Sequence, residues 1–107
     1  YKLIFLLTNN YPPSEMKSFI DNQKIKNHTK CIITLVSVTD LKVSIIIGLT
    51  SDLKDKFDAT HLVKISSEVV GGKGGGRRKD LAQAGGNKIN KAKDIYLKLK
   101  KEIVNLI

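Results

Sequence analysis

The sequence predicts an α/β domain: one small mixed β-sheet with helices packed on it, in the order β-α-β-β-α-glycine loop-β-α. Three observations carry this. Short, nearly continuous apolar runs at Lys2–Thr8, Cys31–Thr39 and Val43–Leu49 read as buried strands. Segments 14–25, 60–70 and 88–107 place apolar residues at three- and four-residue steps, the spacing of one helix face. The chain has 107 residues, enough for one modest core, so 1–107 is read as a single domain.

Each element follows from local chemistry. The first strand is bounded by Asn9-Asn10 and Pro12-Pro13. Ser14 offers a side-chain oxygen as a cap, and Met16, Phe19 and Ile20 give the helix 14–25 its apolar face. The Ile-, Val- and Thr-rich runs on either side of Thr39–Lys42 form an antiparallel hairpin. Thr50-Ser51-Asp52 opens a helical turn over 52–57, and Thr60 caps a helix carrying Leu62, Val63, Ile65, Val69 and Val70. Gly71 stands where a helix end takes a left-handed residue. A loop over 72–79 leads into a strand at Leu81–Ala84, stopped by Gly85-Gly86. Asn87 then caps a helix over 88–107, whose stripe is Ile89, Ala92, Ile95, Tyr96, Leu99, Ile103 and Leu106.

Composition excludes several functions. Hydrophobic residues are 41% and charged ones 27%, too apolar for a disordered chain. The single cysteine, Cys31, allows no internal disulfide and no multi-cysteine zinc site, and His28 and His61 lie far apart in sequence. No metal site and no cofactor is expected. Asp52, Asp55 and Asp58 are interleaved with Lys54 and Lys56 and read as a solvated surface. His28 is close to Cys31 in sequence, but Cys31 opens an apolar strand and reads as core, so no catalytic residue is expected. The apolar stretch from Cys31 to Leu49 is broken by Asp40 and Lys42, so no membrane-spanning helix and no signal peptide is expected. The start at Tyr1, without methionine, reads as a piece of a longer protein, and a cytoplasmic location is expected.

The formal net charge is +9, and it is uneven. Residues 1–70 carry nine lysines against seven acids; residues 71–107 carry eight lysines and two arginines against three acids, a net of +7. A basic face attracts phosphate backbones by counterion release. Seven of the eight glycines fall in Gly71–Gly86, GGKGGGRRKDLAQAGG, beside both arginines. Glycine admits backbone amides close to a ligand, and successive amides can form an anion nest. Arginine adds bidentate hydrogen bonding to phosphate and stacking on bases. The expected RNA-binding residues are Gly71, Gly72, Lys73, Gly74, Gly75, Gly76, Arg77, Arg78, Lys79, Gln83, Gly85 and Gly86. Nucleotide hydrolysis is excluded. Gly71 and Gly76 have P-loop spacing, but Arg77 and Arg78 replace the required lysine and hydroxyl residue. The dinucleotide fingerprint Gly-x-Gly-x-x-Gly is absent too.

This segment resembles the C-terminal domain of alanyl-tRNA synthetases, a domain shared with DHH phosphoesterases. The family pattern Gly-Gly-Lys-Gly-Gly-Gly-Arg-Pro-Asp-Met-Ala-Gln-Ala-Gly-Gly is followed at Gly71–Arg77 and Ala82–Gly86. Arg78 replaces the proline, Leu81 replaces the methionine, and Lys79-Asp80 makes the spacing one residue longer. The resemblance implies a non-catalytic, tRNA-binding accessory domain that holds the outer corner of alanine-specific tRNA. The alanine–tRNA ligase activity, with its ATP and zinc, would then belong to aminoacylation and editing domains elsewhere in the parent chain; dimerisation of the parent is also implied. The alternative is the substrate-binding domain of a DHH phosphoesterase acting on single-stranded nucleic acid.

Overall fold

Lys2 to Asn9 forms strand β1, and its register against the second strand, β2 (Cys31–Val38), is parallel and unbroken from Lys2↔Cys31 to Asn9↔Val38. The parallel pair requires a crossover, which helix α1 (Pro13–Lys26) supplies. Strand β3 (Val43–Leu49) returns antiparallel to β2, and β4 (Leu81–Gly86) pairs antiparallel with β3, giving a four-stranded sheet in the order β1-β2-β3-β4. Helix α2 (Ala59–Val69) joins β3 to β4, and α3 (Ile95–Leu106) closes the chain. These are the elements of a computed structural model that describes residues 1–72 and 78–106.

The central strands β2 and β3 are buried on both faces, which is why they read as continuous apolar runs rather than alternating ones. Ile32 and Val36 of β2 join Val43, Ile45 and Ile47 of β3 in a core covered by Leu62 and Val63 of α2 and by Ile95, Leu99 and Ile103 of α3. Ile33, Leu35 and Ile46 face the other way and meet Met16 and Ile20 of α1. The layers are therefore α1, sheet, and α2 with α3. At Gly48 an added Cβ would lie 2.4 Å from Ile20 Cγ2, so the small residue lets α1 settle on β3.

The predicted α/β order holds, with local corrections. Helix α1 begins at Pro13, with Pro12 at the cap position and no side-chain cap from Ser14; proline's fixed φ suits a first helical turn. Its approach is fixed from β2, where Ser37 Oγ accepts the Tyr11 N–H at 2.9 Å. Residues 51–53 form a single 3-10 turn rather than a helix over 52–57. Asp58, not Thr60, caps α2: Asp58 Oδ1 accepts the Thr60 N–H at 2.9 Å and the Thr60 hydroxyl at 2.6 Å. β4 continues through Gly85-Gly86, because Gly85 and Gly86 pair with Ser44 and Val43. The last helix is divided into a 3-10 segment at Ile89–Asp94 and α3, and Asn87 does not cap it. The apolar stripe continues across the division, since Ala92, Ile95, Leu99 and Ile103 are all buried.

Candidate nucleic-acid interface

The glycine-rich segment brackets β4. At its start, Gly71 has φ +80° and ends α2 in the left-handed conformation that glycine accepts at little cost. Gly72 N–H donates to Ser67 O at 2.7 Å, and the Asn87 and Lys88 N–H groups both donate to Val70 O at 2.9 Å. The two ends of the motif, 70–72 and 85–88, thus meet backbone to backbone. A Cβ on Gly72 would lie 1.7 Å from Gly85 O, one on Gly85 2.6 Å from Val43 O, and one on Gly86 2.3 Å from Val70 O. These three glycines are required by the fold itself, whatever binds there.

Arg78 and Lys79 sit at the other end of β4. Lys79 O accepts the Ala59 N–H at 2.7 Å, and Asp80 O accepts the Leu49 N–H at 2.8 Å, anchoring the chain beside the start of α2 and the end of β3. Arg78 is exposed and forks onto Asp80, Nε to Oδ1 at 3.0 Å and Nη2 to Oδ2 at 2.9 Å. That hydrogen bond is the main cause holding the Asp80 carboxyl below its usual range. Among the described residues, the expected ones other than Gln83 sit at the two ends of β4. Gly71, Gly72, Gly85 and Gly86 lie at one end of β4, with Arg78 and Lys79 at the other, a six-residue strand away. Lys73, Gly74, Gly75, Gly76 and Arg77 lie outside the described residues.

An open groove of about 530 Å³ runs along the glycine end, on the face that α1 leaves uncovered. Gln83, Gly85 and Gly86 of β4 and Gly71 line it with Lys42 and Ser44 of the hairpin. Pro13 and Met16 of α1 form the opposing wall, and Asn87 closes the end. Lys88 stands beside it, its side chain against Gly71. The lining mixes amide and hydroxyl donors and acceptors with a lysine, a chemistry suited to sugar, phosphate and base edges. None of Lys42, Ser44, Asn87 and Lys88 was expected in the interface from sequence. Asn87 and Lys88 follow Gly86 directly in the chain, whereas Lys42 and Ser44 come to the motif only through the β3–β4 register, which sets Ser44 beside Gly85 and Val43 beside Gly86.

The residues weighed for other chemistries do not line this groove. Cys31 is buried, its Sγ donating to Thr29 O at 3.2 Å, and His28 is exposed in the loop after α1. His61 lies in the first turn of α2 and pairs with Glu102 of α3 at 2.9 Å. Among the described residues there is no cluster of three or more metal-ligating side chains, and no helix is long and apolar enough to cross a membrane.

A family model, the DHHA1 domain, matches residues 1–105. The chain belongs to the DHHA1 domain family. Its solved relatives include the C-Ala domain of Aquifex aeolicus alanyl-tRNA synthetase, with a TM-score of 0.84 and 30% identity over 94% of this chain and 88% of that one. Curated relatives include the alanine–tRNA ligases of Bradyrhizobium diazoefficiens, 47% identical over 73 residues, and Granulibacter bethesdensis, 53% identical over 55 residues. Those matches cover 67% and 51% of this chain but only 8% and 6% of the relatives. This DHHA1 domain is therefore of the C-Ala type in sequence and fold, and it corresponds to a small part of the full-length ligases.

Proposed function

We propose that this domain is a tRNA-binding accessory module of an alanyl-tRNA synthetase, engaging the outer corner of the folded tRNA. It contributes grip rather than catalysis; activation of alanine with ATP and zinc-dependent editing would fall to other domains of the same cytoplasmic parent. The observation that carries the reading is the meeting of Gly71, Gln83, Gly85 and Gly86 with Lys42 and Ser44 on one open groove. It is supported by the net charge of +7 in residues 71–107. The outer corner of tRNA presents unstacked base edges beside closely spaced phosphates, which such a groove can meet with polar side chains and lysine.

The test is a titration of the domain with folded tRNA and with an unstructured RNA of equal length, at two salt concentrations. Folded tRNA should bind tighter, and binding should fall with salt. Arg77→Ala should weaken it by about 1–3 kcal/mol, the scale of one lost charged contact. Equal affinity for both RNAs would favour the single-strand phosphoesterase reading instead. Unchanged tRNA binding in a folded Arg77→Ala variant would remove Arg77 from the interface.

A further inference from the structure

The groove beside Gly85 and Gly86 is not the end of the concave surface. Strand register sets Asn9, Val38, Val43 and Gly86 in one row across the end of the sheet. Three strand spacings, about 14 Å, separate Asn9 from Gly86. At the Asn9 end of the row lies a second depression of about 540 Å³, in the range of small-ligand sites. It opens on the other face of the sheet. Leu7 and Asn9 share the parity of Leu3 and Phe5, which pack toward α2 and α3, whereas Ser44 and Gln83 share the parity of Ile46 and Leu81 on the α1 side. Between the two stands the turn from Thr39 to Lys42. Lys42 lines the first groove, while Thr39 and Asp40 line a hollow that shares Asn9, Val38 and Ile89 with the second depression. Hydrogen bonds fix the turn: Thr39 N–H donates to Lys42 O at 2.9 Å, and Leu41 and Lys42 N–H donate to Thr39 Oγ1 at 3.3 and 3.1 Å. A strand of RNA crossing the end of the sheet therefore meets a concave surface on either side of a fixed divider.

The second depression has its own chemistry. Its floor is aliphatic, made by Leu7, Val38, Ile89 and Ala92. The 3-10 segment Ile89–Asp94 sets the small Ala92 there, beside the ends of β1 and β2. Its rim is neutral and hydrogen-bonding at Thr8, Asn9 and Asn90, with Lys93 next to them. Asn9, Asn90 and Lys93 are exposed. A flat ring fits this combination: the aliphatic floor accepts its face, and a carboxamide both donates and accepts along one base edge. A bare phosphate fits it poorly, because the two carboxamides offer no charge. Asp40, on the adjoining hollow, repels phosphate, so an RNA backbone enters on the Lys93 side. We propose that this depression is a second RNA subsite that takes one unstacked nucleotide. Its base lies on Val38, Ile89 and Ala92, its edge meets Asn9 and Asn90, and its phosphate meets Lys93. The identity of the ligand rests on the RNA reading of the first groove. The two subsites divide the work. Lys42 and Lys88 hold backbone near Gly85 and Gly86 and carry salt dependence, whereas Asn9 and Asn90 add neutral contacts that require a base splayed from its stack. A fully stacked helix leaves the pocket empty, so the pocket favours RNA with an unpaired nucleotide next to the gripped backbone.

The test is an NMR titration of the isotope-labelled 107-residue chain with two probes, AMP and ribose 5-phosphate, each to about 10 mM, enough to saturate a millimolar site. AMP should move the side-chain amide signals of Asn9 and Asn90 and the backbone signal of Ala92, and ribose 5-phosphate should leave them in place. Equal shifts from both probes, or AMP shifts confined to Gly71 and Gly85, would overturn the proposal. Folded tRNA then measures what the pocket adds. Asn9→Ala combined with Asn90→Ala should weaken binding about tenfold with the salt dependence unchanged. Lys93→Gln should instead lower the slope of log affinity on log salt by about one. The three side chains are exposed, so circular dichroism should show the fold intact. Asn90→Asp, which keeps the shape and removes the donor, should weaken binding too and serves if the alanine pair fails to fold. Undiminished tRNA affinity in the folded Asn9→Ala, Asn90→Ala chain would overturn the proposal. A chain that takes AMP at Asn9 and Asn90 but no tRNA would remove the tRNA reading and leave the pocket as a nucleotide site.

Discussion

Gly72, Gly85 and Gly86 illustrate how one residue type can answer two demands. Each stands where an added Cβ would come within 1.7–2.6 Å of a main-chain oxygen, and backbone cannot rotate aside as a side chain can. Gly85→Ala or Gly86→Ala should therefore destabilise the domain by roughly 2–4 kcal/mol, the upper part of the range for overpacking and backbone displacement. Thermal unfolding measures this directly; an unchanged Tm would show that β4 and the 70–72 segment can part without cost. The consequence for function is practical. Lost RNA binding in these variants reports on folding first, so contacts are better probed at Gln83, Lys42 or Arg77. Arg78 carries a similar lesson, since its guanidinium is already forked onto Asp80 and reaches a phosphate only by leaving that partner.

At the scale of elements, the cap of α2 is a separable contribution. Asp58 accepts both the Thr60 amide and hydroxyl, and the hydroxyl hydrogen bond is the main cause holding its carboxyl below the usual range. Asp58→Ala should cost about 1 kcal/mol at neutral pH. Because the folded-state pKa is depressed, this stability is present above the ordinary aspartate value of about 3.9 and is lost as pH falls through the folded value. Urea unfolding of both proteins should show the gap at pH 7 and its narrowing toward pH 3; a constant gap would mean that the charge plays no part. The cap also shows what could be read in advance. All four strands and three helices were legible, because sheets buried on both faces leave unbroken apolar runs and helices leave stripes. The cap residue was not, since Asp58 and Thr60 are both good caps and only tertiary geometry chooses. The 3-10 segment before α3 was hidden for a similar reason: Ile89 and Ala92 keep the stripe in step while the backbone changes its pitch. In the interface the glycine motif was evident, whereas Lys42 and Ser44, far from it in sequence, reached it only through strand pairing.

At the scale of the whole molecule, the two sheet edges are chemically distinct, apolar at β1 and polar with lysines at β4, and the positive charge divides into two groups. Lys42 lines the groove and Lys88 stands beside it, whereas α3 runs toward Tyr1 and Leu3, at the opposite end of the sheet. Lys98 and Lys101 are exposed on α3, off its buried stripe of Ile95, Leu99 and Ile103. If the groove grips tRNA, the two groups contribute differently. Lys42→Gln and Lys88→Gln remove cations next to the bound backbone, so each should lower the dependence of log affinity on log salt by about one and weaken binding roughly tenfold. Lys98→Gln with Lys101→Gln removes the same charge from a distance comparable to or beyond the screening length, about 8 Å at physiological salt. That pair should change affinity by no more than about threefold, with the slope unaltered. Titrations with folded tRNA across a salt series decide between local and global charge. Equal losses from both pairs would mean that net charge alone recruits RNA. A larger loss from the α3 pair would move the binding face to the helix and away from the glycine motif.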